Sequence, residues 1–153
     1  MAEGTYHARF SLDPNASRPG GGANGIIILG GYTANDGGGS NRFTVRYRLK
    51  RGARQVRLTV ARSGGTTSTR WFTVPNATAT PIEVFWQAGA STTATLSLNR
   101  ARAQTLTALD TGTASRIESA RFGVQSLSGS NASRAGSLFL DAFASTRRTV
   151  VGR

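Results

Sequence analysis

The side chains whose types could do chemistry here are one histidine, a few carboxylates, two tryptophans and many arginines, and their spacing limits what each can do. A serine nucleophile needs a base, and the single histidine, His7, stands in a strand-like run with nothing that brings it to a particular serine. It is expected to be a strand residue at the surface or at a pocket edge. Glu83 and Glu118 are the glutamates expected in mid-strand. They lie far apart in sequence, and neither belongs to a Glu-x-Asp-x-Glu run that would line carboxylates along one face of one strand, so no hydrolytic pair is expected. Catalytic residues are therefore expected to be absent.

Metal and cofactor chemistry finds little support either. The chain has no cysteine, hence no disulfide and no thiolate site. Asp13, Asp36 and Asp110 are the loop carboxylates, and no loop gathers the several oxygen ligands that calcium needs. The glycine runs Gly20-Gly21-Gly22 and Gly37-Gly38-Gly39 lead into strand patterns, whereas a phosphate-binding loop opens a helix. No metal and no cofactor are expected.

Arginine is the residue that stands out. Lys+Arg number 19 against 7 Asp+Glu, a formal charge of +12, and Lys50 is the one lysine. Such a balance attracts polyanions, and guanidinium forks bind carboxylate, sulfate or phosphate through paired hydrogen bonds. From Arg42 to Arg70 nine basic residues stand with no Asp or Glu among them. In Arg42 to Lys50 the residues Phe43, Val45, Tyr47 and Leu49 alternate with Arg42, Thr44, Arg46 and Arg48; in Gln55 to Arg62, Val56, Leu58 and Val60 alternate with Arg57, Thr59 and Ala61. The spacing predicts a hairpin with one apolar and one basic face, turning at Lys50-Arg51-Gly52-Ala53-Arg54. Arg42, Arg46, Arg48 and Arg57 should project together into solvent. Trp86 shares parity with Ile82 and Val84 and is expected in the core, while Trp71, opposite in parity to Phe72 and Val74, is expected to be partly exposed. The candidate ligand-binding residues are thus Arg42, Arg46, Arg48, Arg57 and Trp71.

These residues need strands to hold them. Strand patterns run over Thr5 to Leu12, Ile26 to Thr33, Arg42 to Lys50, Gln55 to Arg62, Thr69 to Val74, Ile82 to Gln87, Ala94 to Leu98, Thr105 to Leu109, Arg116 to Val124 and Ser137 to Phe143. Short strands without a sustained helical period imply an all-β, antiparallel two-sheet sandwich in one domain over residues 1–153. No apolar run has the length of a membrane span. Met1-Ala2-Glu3-Gly4 leads almost directly into a strand without a signal peptide, so the chain is expected to be a module excised from a longer exported protein, working outside the cell or at its surface.

The segments Tyr6-His7-Ala8-Arg9-Phe10-Ser11-Leu12-Asp13-Pro14-Asn15, Pro81-Ile82-Glu83-Val84-Phe85-Trp86, Ala94-Thr95-Leu96-Ser97-Leu98, Arg116-Ile117-Glu118-Ser119-Ala120-Arg121-Phe122-Gly123 and Phe139-Leu140-Asp141-Ala142-Phe143 together resemble a concanavalin A-like, laminin-G-like jelly roll. The ending is similar to C-terminal modules of large bacterial secreted or surface proteins. This resemblance implies two antiparallel sheets, one of them concave, and a carbohydrate-binding or adhesion role. The expected function is a non-catalytic binding module, not an enzyme, whose arginine face meets an anionic polysaccharide or other glycan. One alternative is a nucleic-acid-associated or virion structural protein that meets phosphate through charge alone. The other is a β-domain that self-associates through its strand edges.

Overall fold

The structure, a computed structural model, describes residues 4–20, 22–34, 39–125 and 134–146; Asp36 falls outside them. It is an all-β jelly-roll sandwich. One sheet has five strands in the order β10-β9-β8-β1-β13, formed by β1 (Thr5–Asp13), β8 (Thr80–Gln87), β9 (Thr92–Leu98), β10 (Arg102–Leu109) and β13 (Phe139–Thr146). The other has six in the order β11-β3-β4-β5-β6, built from β3 (Ile26–Tyr32), β4 (Asn41–Lys50), β5 (Ala53–Arg62), β6 (Gly65–Ser68) and β11 (Ser119–Phe122), counting β7 (Phe72–Thr73), which also pairs β5. A small ribbon joins β2 (Arg18–Pro19) to β12 (Arg134–Ala135). Among the described residues, no helix is long and apolar enough to cross a membrane.

The period of two makes the core. Tyr6, Ala8, Phe10 and Leu12 of β1, Ile82, Val84 and Trp86 of β8, and Ala94, Leu96 and Leu98 of β9 point inward against Phe43, Val45 and Tyr47 of β4 and Val56, Leu58 and Val60 of β5. Trp86 is fully buried. The Tyr47 hydroxyl meets Ser17 Oγ at 3.0 Å, which lets a polar tip end inside the core.

The expected hairpin is present with a tighter turn: Lys50 pairs with Ala53, leaving Arg51 and Gly52 at φ 50° and 79°. Two positive values in a two-residue loop match the twist of the strands it joins. Arg102–Leu109 is strand throughout, and Glu118 lies just ahead of β11, not in mid-strand.

One expected strand divides. Thr69 to Val74 was to be continuous, but β6 ends at Ser68 and β7 begins at Phe72. The Thr69 hydroxyl accepts the Leu58 N–H at 3.1 Å while the Thr69 N–H donates to the Leu58 carbonyl at 2.9 Å. A side chain has taken the place of a ladder carbonyl. With Thr59 paired to Ser68 and Val56 to Phe72, Arg57 and Leu58 face Thr69, Arg70 and Trp71, so one strand carries an extra residue. That bulge sends Trp71 to the outer face while Phe72 turns inward.

Candidate functional site

The outer face of the six-stranded sheet is built by β3, β4, β5 and β11, and none of the strands β3 to β7 contains an Asp or Glu. Arg46 of β4 pairs directly with Arg57 of β5. Like charges in that register repel, so the arrangement costs stability. Burial, together with the charges of Arg46 and Arg48, pushes the Arg57 guanidinium below its ordinary value. Arg57 Nη2 leans on Asn24 Oδ1 at 3.4 Å, and among the described residues its buried Nε meets no acceptor. Asn24, Asn41, Thr44, Arg46, Arg57 and Ser68 help line a recess of about 300 Å³.

Arg48 departs from expectation. It is 8% exposed and not an open fork in solvent. Its Nε donates to Gln55 Oε1 at 2.8 Å, its Nη1 donates to the Ala23 carbonyl at 2.7 Å, and its guanidinium lies 3.8 Å from the centre of the Trp71 ring. Desolvation lowers its pKa. Arg57 also lies against Trp71, at 4.4 Å. Trp71 is half-buried because two guanidiniums cover it, so its ring is a floor for arginines more than an open platform. Arg42 stands where the β3–β4 register shifts, its Nε is buried, and it does not line the recess. The structure therefore brings Arg46, Arg48, Arg57 and Trp71 together and leaves Arg42 aside.

Beside this recess, though not among its lining residues, stand Tyr32 and Gln125, which the candidate residues read from the sequence did not include. Tyr32 closes β3, and its ring lies flat over Gly30: a Cβ at position 30 would fall 2.8 Å from the ring and the hydroxyl. The hydroxyl donates to Gln125 Oε1, and Gln125 Nε2 donates to the Arg121 carbonyl at 2.6 Å. Burial raises the Tyr32 pKa, while the charges of Arg121 and Arg46 work against that rise. The Gly30-Gly31 pair ahead of an aromatic was the signal for a close ring–backbone approach.

His7 and Glu83 lie on the outer face of the other sheet, apart from this cluster. Glu83 pairs with Arg100 at 3.4 Å.

No protein-family model matches the chain. No curated protein matches it either. Among solved structures, an alginate lyase from Pseudomonas aeruginosa is similar with a TM-score of 0.63 at 15% identity, over 95% of this chain and 66% of that one. A second alginate lyase, solved as a double variant in complex with an alginate tetrasaccharide, gives a TM-score of 0.64 at 13% identity, over 99% of this chain and 73% of that one. The chain spans just under two thirds of the first neighbour's length. At these identities the likeness establishes the fold.

The neighbours correct one expectation. The chain was to be a non-catalytic module, because it lacks a nucleophilic triad and a paired-glutamate motif. Both structures on this scaffold are lyases, so the inference from those absences to "not an enzyme" fails. Elimination needs no hydrolytic carboxylate pair and no serine nucleophile.

Proposed function

We propose that this chain acts on an acidic polysaccharide of the alginate kind, cleaving it by β-elimination at the arginine face. Elimination at a 4-linked uronate removes the C5 proton, α to the carboxylate. The electrons of the C5–H bond form a C4=C5 double bond, the C4–O bond breaks, and the departing oxygen takes a proton. The step needs a neutralised carboxylate and a group that moves protons. Arg46 and Arg57, side by side with no carboxylate among the described residues that line their recess, suit the first task; this pairing is the observation that carries the reading. Tyr32, with its hydroxyl on Gln125 and within the field of Arg46 and Arg121, suits the second. Arg48 and Trp71 hold Arg57 in place.

An exported parent protein fits this reading, since a polymeric substrate is met outside the cell. Nucleic acid and self-association find no support in the structural neighbours.

Polymannuronate and polyguluronate are the substrates to try, with ultraviolet absorbance of the unsaturated product as readout. Absorbance should grow with time, and both Tyr32→Phe and the Arg46→Ser/Arg57→Ser double variant should lower the rate by about 10²-fold or more. No absorbance on either polymer, or a Tyr32→Phe variant at full rate, would sink the proposal.

A further inference from the structure

The outer face of the five-stranded sheet carries a second recess, separate from the arginine face. In the strand register His7 pairs with Phe85, and Phe85 with Thr95; one step along, Arg9 pairs with Glu83, and Glu83 with Ser97. Alternation brings all of them to the solvent side, where they line a recess of about 240 Å³. The His7 and Phe85 rings lie 4.6 Å apart and tilted by 50°, both partly exposed in the middle of a sheet. A neighbouring recess of about 330 Å³ shares Arg9 and adds Ser11, Asn99 and Arg100. Ala142, which also borders it, takes φ 53° where the register of β13 on β1 shifts between Arg9 and Ser11. Sharing Arg9, the two recesses lie next to each other across the strands, a two-part groove.

The chemistry of this groove differs from that of the arginine face. Glu83 stands opposite Arg9 in the strand register and pairs with Arg100 at 3.4 Å, so the groove lacks the uncompensated arginine pair of the other face. Hydroxyls do fit. Thr95 and Ser97 donate and accept, Arg9 donates and Glu83 accepts; a carboxylate or guanidinium can hold two adjacent hydroxyls at once. The apolar C–H face of a sugar ring packs on an aromatic such as Phe85. Burial lowers the His7 pKa, and a neutral imidazole offers one donor and one acceptor. We propose that this groove is a second carbohydrate site that takes a neutral saccharide, with Phe85 as the platform and Arg9, Glu83, Thr95 and Ser97 as hydroxyl partners. It stands independently of the elimination reading, since it uses the opposite sheet.

Electrophoresis in native gels cast with a neutral β-glucan, a glucomannan, a galactomannan or a xylan, each run in high salt, tests this. The protein should be retarded by at least one of them. Phe85→Ala and Glu83→Gln should each weaken that retardation about tenfold. Phe85→Leu, which keeps apolar packing and loses the ring, should behave like Phe85→Ala while its circular dichroism matches the parent. The Arg46→Ser/Arg57→Ser variant should be retarded like the parent. Migration unaffected by all four polymers overturns the proposal, as does full retardation of Phe85→Leu. Loss of retardation in the arginine double variant would place binding on the other sheet and overturn it equally.

Discussion

Replacing Trp71 by leucine removes the surface on which two guanidiniums rest. Arg48, 8% exposed and 3.8 Å from the ring, is the desolvated partner, for which a cation–π contact contributes about 1–2 kcal/mol. Arg57, at 4.4 Å and more open, adds about 0.5–1 kcal/mol. The bonds from Arg48 to Gln55 and to the Ala23 carbonyl keep its head in place, so the loss should not be recovered by a rotamer change. The sum is about 2 kcal/mol, or a fall in Tm of about 4–8 °C for a chain of this size. Urea unfolding followed by far-ultraviolet circular dichroism can measure Trp71→Leu, Arg48→Met and the double variant as a cycle. Coupling of about 1–2 kcal/mol is expected, because the two side chains stabilise each other directly. Additivity within about 0.3 kcal/mol would refute the reasoning and make the stack a crowding without energy.

Two further outcomes follow from the same geometry. Gly30→Ala places a Cβ 2.8 Å from the Tyr32 ring and should displace the hydroxyl from Gln125, so under the proposed elimination the rate should fall much further than Tm; a variant as fast as the parent would remove Tyr32 from the proposed mechanism. His7 has a folded pKa lowered by burial from its usual 6.5, so the unfolded chain binds its proton more readily. Its contribution is present in full above pH 6.5 and is lost as pH falls through the lower folded value; urea midpoints from neutral to mildly acidic pH should fall more steeply for the parent than for His7→Gln, and parallel profiles would contradict this.

The strand periodicity alone determined the fold class, the burial of Trp86 and Tyr47, and the basic outer face of the β4–β5 hairpin, because a period of two fixes which side each residue faces. It placed Trp71 outward as well, although the strand it assumed does not exist. What the alternation could not supply was the third dimension of that face. Arg48 and Arg57 fall on one face of the hairpin and read as equivalent, yet the 3-10 turn carrying Ala23 and the bulge carrying Trp71 bury the first and leave the second beside Arg46. Tyr32 and Gln125 lie 93 residues apart, and the antiparallel pairing of β11 on β3, which carries Gln125 alongside Ile27 at the start of β3, brings its side chain within reach of the Tyr32 hydroxyl. His7 and Glu83 fall on the opposite sheet from the arginines for the same reason: strand order is set by long-range packing of the two layers, and local pattern is silent on which sheet each strand joins.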